Sequence, residues 1–468
     1  MTILSTNTKQ NITNISYRFW IGILLLGFLT KIIVNFVFLS DMPLISDAAS
    51  YYHASVSMSE NFSQSAPFYW PPGATFILSA FMSIFGYSEI AAKLFTIVVC
   101  TVYCLMVPLI TASITSNLKS IKFSAILSAL YPPIIMMSGQ PYSHHFTALF
   151  ILAAVVVFLN FNYLKKNKNL HLILLGFLLA AGALTRPSAL TITILFFLFI
   201  IINFKSSAFG EKLTVRLRHA SYVIVTVLIF VFPVLQMNSL AGAGYNISTN
   251  NERNFFLGNN RYTPNYKTSH FGQVPSSTLP SHIGDYLNEM RGSNSEADRK
   301  RMTFEAINFI LNEPWIFVKR TLNRVKSFWG VDYVMSREIQ NHYDLNNYEL
   351  AFLLLFEAGG YCLIVALFLM SLFVIPYKKL WQPLTLLFVT VAFYQAPYAL
   401  AFSAGIYHFP IIPILIVIGS LAFTNRPEVL VIKFKETKTI ISLFVIFSGF
   451  IALQIEYLYM AIKHSPFN

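Results

Sequence analysis

The chain first leaves a predicted membrane span in the stretch Asp41-Met-Pro-Leu-Ile-Ser-Asp47-Ala-Ala-Ser-Tyr51-Tyr52-His53-Ala54. An apolar run, residues 18–39, comes directly before it and is long enough to cross a bilayer as a helix. Soon afterwards comes Phe68-Tyr69-Trp70-Pro71-Pro72-Gly73. Acidic residues beside a span are costly unless they pair or have a function. The stretch therefore predicts a shaped polar cavity at the membrane surface, built by the first loop of a membrane protein.

Composition predicts an all-α polytopic membrane protein. Hydrophobic residues make up 55% of the 468, charged residues only 11%, and apolar runs of near-spanning length recur along the chain. The apolar stretch 73–86 is too short to span and opens with Pro-Pro-Gly, so we expect an interfacial or re-entrant helix there. About eleven spans remain, at residues 18–39, 90–112, 122–137, 143–162, 171–184, 187–204, 220–239, 349–375, 380–399, 403–424 and 438–461.

The net charge of +13 is explained by the orientation of the chain in the membrane. With the N-terminus in the cytoplasm, Lys and Arg concentrate in the loops that face inside, and the short outside loops carry almost none. This bias argues against a nucleic-acid partner. We expect an integral membrane protein with its N-terminus in the cytoplasm, membrane lipids as partners and its site facing outside.

Three parts are predicted along the chain. Residues 1–239 form an N-terminal membrane region whose first outside loop, 40–89, carries the site. Residues 240–348 form an outside segment, and residues 349–468 a C-terminal region of four membrane helices.

The outside segment is expected to be mixed but largely helical. Ser295 and Asp298 match a capping box for a helix of about 296–311. Pro314 then begins a second helix, whose apolar face and basic face predict a position on the membrane interface.

Asp47 is the candidate catalytic base. Moving a sugar from a phosphate-linked donor needs one base on the acceptor and no general acid, because a phosphate leaves unaided. One carboxylate therefore suffices. The alternative interpretation is that Asp47 caps the helix that follows it. Asp41 is interpreted as a boundary residue.

Arg186 and Lys93 are the candidates for binding a donor phosphate. Arg186 is the lone charge in the outside turn Thr185-Arg186-Pro187, and a guanidinium suits bidentate phosphate recognition. Lys93 lies at the outer end of the second span. Contact with lipid headgroups is the alternative for both residues.

Other polar and aromatic groups on the outer face are candidates for a substrate pocket. The adjacent histidines, 144 and 145, point to different helix faces, so one metal site holding both is not favoured. No metal ligands are assigned, and whether a divalent metal serves as a cofactor is left open. The candidates are Tyr51, Tyr69, Trp70, His144, His145, Asn259, Tyr407 and His408.

The order of these elements resembles the GT-C class of polyprenyl-phosphate-sugar-dependent glycosyltransferases. The similar branch includes protein O-mannosyltransferases, lipid A aminoarabinose transferases and lipopolysaccharide-core sugar transferases. The motifs that carry the resemblance run over about residues 18–415: Asp47 with Tyr51, Trp70-Pro-Pro-Gly73, Tyr131-Pro-Pro, Ser138-Gly-Gln140, Leu184-Thr-Arg-Pro187, Gly258-Asn-Asn260, Asn312-Glu-Pro-Trp315 and Phe409-Pro-Ile-Ile-Pro413.

The resemblance implies a GT-C-like bundle with interfacial helices and a catalytic aspartate, matching Asp47, in the first outside loop. It also implies donor-phosphate contact at Arg186 and, because the similar branch is bacterial, a place in a bacterial inner (plasma) membrane. The chain departs from the pattern at His144–His145, where relatives often have an acid. It departs again at Ile406-Tyr407-His408, where relatives have an arginine.

The expected function is an inverting glycosyltransferase that moves a sugar from a polyprenyl-phosphate donor to a lipid, glycan or protein acceptor on the outer face. The alternatives are a transporter or flippase, or a polymerase or ligase, of lipid-linked glycans. A transporter would carry charges through the middle of its spans, where the sequence places only Lys31, Glu357 and Glu456.

Overall fold

A computed structural model describes residues 6–60, 65–161, 168–202, 212–266, 268–424 and 435–463. These residues form helices and no strand, so the all-α prediction is confirmed. The helices are α1 Thr6–Thr13, α2 Tyr17–Ile33, α3 Ser46–Glu60, α4 Pro72–Phe85, α5 Glu89–Ile114, α6 Leu118–Ala129, α7 Pro132–Met137, α8 Ser143–Asn160, α9 Lys168–Thr185, α10 Leu190–Ile201, α11 Leu213–Leu240, α12 Asn251–Gly258, α13 His270–Gln273, α14 Ser281–Arg291, α15 Glu296–Asn312, α16 Pro314–Phe328, α17 Val334–Tyr343, α18 Asn347–Ser371, α19 Tyr377–Leu400, α20 Ile412–Ser420 and α21 Thr437–Lys463.

Nine helices in the described residues are long and apolar enough to cross a membrane. The most buried of them are α8 and the segment Gly405–Phe423, and the least buried is α21. These nine spans are Tyr17–Phe38, Glu89–Ile114, Ser143–Asn160, Lys168–Thr185, Leu213–Leu240, Asn347–Ser371, Tyr377–Leu400, Gly405–Phe423 and Thr437–Tyr459.

The predicted count of about eleven spans is not confirmed, because two of the predicted spans are not long helices. Residues 122–137 divide into α6 and α7 at Tyr131-Pro-Pro, since proline lacks an N–H and holds the residue before it extended. Residues 187–204 give the shorter apolar helix Pro187–Ile201, and the end of that prediction lies outside the described residues.

The predicted first outside loop forms two helices, α3 and α4. The second begins at Pro72, in the first turn, where a missing N–H costs no hydrogen bond. Gly73 lies against the backbone of the turn after α9: an added Cβ would come within 2.7 Å of the Leu184 carbonyl carbon. Glycine therefore allows the Trp-Pro-Pro-Gly and Leu-Thr-Arg-Pro motifs to pack together, although more than 100 residues separate them in sequence.

Most of residues 240–348, the predicted outside segment, is helical. The capping box of Ser295 and Asp298 is present and begins α15, as predicted. In the next helix, α16, apolar residues such as Val318 and Leu322 are exposed. Arg320 and Arg324 turn inward and donate hydrogen bonds to backbone carbonyls. The apolar face thus stays available for the membrane interface, while part of the basic face holds the fold together.

Candidate functional site

A cavity of about 1000 Å³ opens between the first outside loop, the outside segment and the C-terminal helices. Seven of the eleven candidate site residues line it: Asp47, Tyr51, Tyr69, Trp70, His144, Arg186 and Tyr407. They come from five separate parts of the chain. The fold therefore brings most of the predicted site together in one place.

The loop that carries Asp47 is fixed by the Ser-Gly-Gln motif between α7 and α8. The Gln140 side chain accepts a hydrogen bond from the Ile45 backbone N–H at 3.0 Å and donates one to the Pro43 carbonyl at 3.1 Å. Gly139 donates its N–H to Asn35 Oδ1 at 3.1 Å, so close that an added Cβ would collide with that side chain. The motif therefore positions the start of α3.

Asp47 lies in the first turn of α3, half-buried at the cavity wall. Its carboxylate has no hydrogen-bond partner among the described residues, so the interpretation of Asp47 as a helix cap is not supported. Burial raises the pKa of this carboxyl, and the charge of Arg186 partly opposes the shift. A carboxylate with a raised pKa is a better proton acceptor than an exposed one while it stays ionised near neutral pH.

Arg186 is held in the turn between α9 and the 3₁₀ turn Pro187–Ala189. Its Nε donates to the Tyr398 hydroxyl and its Nη1 to Ser143 Oγ, both at 3.0 Å. The guanidinium carbon also lies 5.3 Å from the ring centre of Tyr407. The remaining nitrogen, Nη2, has no partner in the part of the chain that the structure describes. Arg186 therefore presents an oriented edge to an anion in the cavity.

An aromatic wall connects the two ends of the cavity. The Tyr51 hydroxyl donates to Ser143 Oγ at 2.9 Å, and its ring lies 5.8 Å from that of Trp70. The Trp70 ring meets Tyr69 edge-on at 4.8 Å. Arg253 Nη1 donates to the Tyr69 hydroxyl at 3.2 Å. Flat apolar faces with polar edges suit sugar rings, which present C–H groups on their faces and hydroxyls around them.

The two adjacent histidines separate as helix geometry requires. His144 lines the cavity with its ring stacked on Tyr407 at 6.0 Å, and neither ring nitrogen has a hydrogen-bond partner among the described residues. His145 faces the bundle interior, where Nε2 donates to the Met137 carbonyl at 3.1 Å and Nδ1 lies 3.2 Å from Cys100 Sγ. Only His144 is therefore placed to meet a substrate.

Three further candidates also lie outside the cavity lining. Each is engaged by a backbone carbonyl, which explains why a polar side chain occupies a buried position there. Lys93 Nζ donates to the Met42 carbonyl at 2.7 Å, Asn259 Nδ2 to the Leu400 carbonyl at 3.0 Å, and His408 Nδ1 to the Phe328 carbonyl at 2.7 Å. The structure thus gives these residues contacts within the protein and leaves Arg186 as the better-placed cation for a donor phosphate.

Sequence reasoning missed several residues that line the cavity. Tyr398 orients Arg186, yet nothing near it in sequence marks it. Lys326 and Glu456 form an ion pair of 2.8 Å between α16 and α21. This pairing joins positions 130 residues apart in sequence.

The charged groups that the sequence places within spans have local partners. The Glu357 carboxylate accepts hydrogen bonds from the backbone N–H groups of Met335 and Ser336 at the start of α17, at 3.1 and 2.7 Å. Lys31 Nζ donates to the Gly27 carbonyl at 2.8 Å. With Glu456 paired to Lys326, each of these three charges has a partner within the protein.

The cavity holds charges of both signs. Among the residues that the structure describes, no cluster of three or more His, Cys, Asp or Glu side chains could hold a metal ion. The charged lining residues are Asp47, Asp332 and Glu456, with Arg186, Arg253, Lys326 and Arg337.

The matched family is described as dolichyl-phosphate-mannose-protein mannosyltransferase. Residues 70–236 of the chain match it. The match contains Trp70, His144 and Arg186, and Asp47 lies before it. It confirms the resemblance to GT-C glycosyltransferases, and the long apolar helices indicate an integral membrane protein. No curated protein matches the chain.

Solved structures similar to this chain include oligosaccharyltransferases of Archaeoglobus fulgidus. One is the archaeal oligosaccharyltransferase AglB in complex with an inhibitory peptide and a dolichol-phosphate, at 15% identity and a TM-score of 0.44, covering 94% of this chain and 56% of that one. Another is the oligosaccharyltransferase complex with Zn and sulfate, at 14% identity and a TM-score of 0.46, covering 95% and 52%. The chain spans about half the length of these proteins.

Proposed function

We propose that this chain is an inverting glycosyltransferase that moves a sugar from a polyprenyl-phosphate donor to an acceptor on the outer face of the membrane. The observation that carries this proposal is that two groups line the same cavity. One is the Asp47 carboxylate, which has no hydrogen-bond partner among the described residues, and the other is the free Nη2 edge of Arg186. The family match supports a lipid-phosphate donor, because dolichyl phosphate is a polyprenyl phosphate.

One displacement accounts for the reaction. Asp47 takes the proton of an acceptor hydroxyl or amine as that atom attacks the anomeric carbon of the donor sugar. The bond from that carbon to the phosphate oxygen breaks on the opposite face, so the configuration inverts. Arg186 offsets the charge that develops on the departing polyprenyl phosphate, an interaction that strengthens towards the transition state.

The aromatic wall of Tyr51, Trp70 and Tyr69 then holds the sugar between the base and the phosphate site. His144 and Tyr407 close the side next to Arg186. The acceptor, whether lipid, glycan or protein, enters from the end of the cavity that the outside segment lines. We place this site on the outer side of a bacterial plasma membrane.

Mass spectrometry of envelope glycolipids and glycoproteins tests the proposed function. Cells that lack this chain should lose one sugar mass from at least one envelope glycan, and the wild-type chain should restore it. The Asp47→Asn variant, expressed at the same level, should fail to restore it, because it lacks the base. Unchanged envelope glycans in cells without the chain, examined under conditions where the wild-type protein is made, would contradict the proposal.

Cysteine labelling tests the orientation. In a variant without the three native cysteines, a probe at Ser277 in the outside segment should react with an impermeant reagent added from outside. A probe at Lys119, in the first turn of α6, should react only after the membrane is opened. Both positions are exposed, so access depends on sidedness. The reverse pattern would place the cavity on the cytoplasmic side and remove the outer-leaflet donor from the proposal.

A further inference from the structure

We propose that Arg253 forms a second anion site in the cavity, which binds a phosphate or carboxylate carried by the acceptor glycan. This inference rests on the proposed function, since it assigns the first anion site to the donor. It predicts that the acceptor is an acidic or phosphorylated sugar chain.

Arg253 is a cation without a counterion. It lies in α12, half-buried at the cavity wall, and among the described residues its side chain donates one hydrogen bond, from Nη1 to the Tyr69 hydroxyl. No carboxylate pairs with it in the described ranges, whereas Lys326, also at the cavity, pairs with Glu456. A guanidinium with donors to spare, partly removed from water, favours an anionic ligand.

The position of Arg253 separates it from the donor site. A continuous set of contacts runs from Arg253 through Tyr69, Trp70 and Tyr51 to Ser143, which itself accepts from Arg186. The two arginines therefore lie at the two ends of this series of contacts, with the three aromatic residues between them in the series. A sugar on that wall, with its phosphate at Arg186, leaves the far end for the second substrate.

The segment that carries Arg253 is fixed against the first outside loop. Thr249 donates its backbone N–H to the Phe68 carbonyl at 2.9 Å, and Phe68 donates its own to Asn238 Oδ1 at 2.8 Å. The cavity volume of about 1000 Å³ also exceeds what one sugar phosphate fills. The outside segment thus supplies a rigid wall with room for an acceptor sugar beside the donor.

Ligand-induced thermal stabilisation of the purified full-length protein tests the inference. Glucose 6-phosphate and methyl glucuronide are the anionic probes, glucose is the neutral one, and undecaprenyl phosphate probes the donor site. Wild type should be stabilised by both anionic sugars and much less by glucose. Arg253→Gln should weaken the apparent affinity for the anionic sugars by about tenfold or more, because a charge-assisted hydrogen bond is lost, and leave stabilisation by undecaprenyl phosphate unchanged.

Two control variants separate charge from folding. Arg253→Lys should retain part of the effect, and Arg261→Gln should retain all of it, because Arg261 stacks on Tyr262 and Tyr286 away from the cavity. Unaltered stabilisation of Arg253→Gln by glucose 6-phosphate would overturn the inference, as would equal stabilisation of wild type by glucose.

Undecaprenyl diphosphate, a lipid diphosphate, distinguishes an anion carried by the donor lipid from one carried by the acceptor glycan. If Arg253→Gln weakens binding of undecaprenyl diphosphate but not of the sugar phosphates, the arginine belongs to the donor site and the inference is wrong. If undecaprenyl phosphate fails to stabilise the wild-type protein, the proposed function fails, whatever the acidic sugars do.

Discussion

Asp47→Asn is expected to lower the rate of sugar transfer by roughly 10²–10⁴-fold, the usual contribution of a positioned general base. The amide keeps the size of the side chain but cannot take the acceptor's proton. Because the carboxylate accepts no hydrogen bond from the described residues, its replacement leaves no donor unpaired. The loss of a negative charge from the first turn of α3 costs about 0.3–1 kcal/mol at most. Expression and melting temperature should therefore stay near wild type.

Asp41→Asn is the matched control. Asp41 lies six residues earlier in the same loop, is exposed, and does not line the cavity, so transfer should be close to normal. Equal losses in the two variants, or near-normal transfer by Asp47→Asn, would remove Asp47 from the role of base. The wild-type rate should also fall as the pH drops through the raised pKa of Asp47, because protonation removes the base.

The sequence sufficed to predict the membrane bundle, because apolar runs and helix starts are local signals, while the site stays a prediction whose main candidates share one cavity. Apolar runs mark spans, and Pro72 and Ser295 mark helix starts. The convergence of Asp47 with Arg186 was predicted from motif order alone. Its physical cause is in the packing, where Gly73 brings the first loop against the turn that carries Arg186.

The sequence could not predict which face of a helix is turned towards the cavity at the outer end of a span. A polar residue at the outer end of a span points into the cavity or into the bundle according to which face packs, and each step along a helix turns the side chain by about 100°. His144 and His145 show both outcomes. Lys93 also lies at the outer end of a span, but its Nζ donates a hydrogen bond to the Met42 carbonyl and the residue does not line the cavity.

Contacts between segments that are far apart in sequence could not be predicted either. Tyr398 and Arg186 are 212 residues apart, and Arg253 and Tyr69 are 184 apart. No periodicity or local motif links such positions. Together these contacts explain how one cavity combines residues of both membrane regions and the outside segment.

Arg186→Ala is expected to reduce donor use, measured as kcat/KM for the polyprenyl-phosphate sugar, by about 10²–10³-fold, as for other oriented donors that stabilise developing charge. Arg186→Lys should restore only part of this loss. A single ammonium cannot bond Ser143 and Tyr398 and still present the free edge that Nη2 offers. The cost should appear in kcat as well as KM, because the charge on the leaving phosphate grows in the transition state.

Lys93→Ala separates this role from a general effect of positive charge at the outer face. Its Nζ bonds the Met42 carbonyl and does not line the cavity, so its loss should act only by loosening the loop before Asp47. We expect a milder decrease in transfer, with some loss of melting temperature. Tyr398→Phe should cost less than either arginine variant, because it removes one of the two hydrogen bonds that orient the guanidinium but keeps its charge and free edge. Normal kcat/KM in a folded Arg186→Ala protein would make this arginine a headgroup anchor, and the donor phosphate would then need another site.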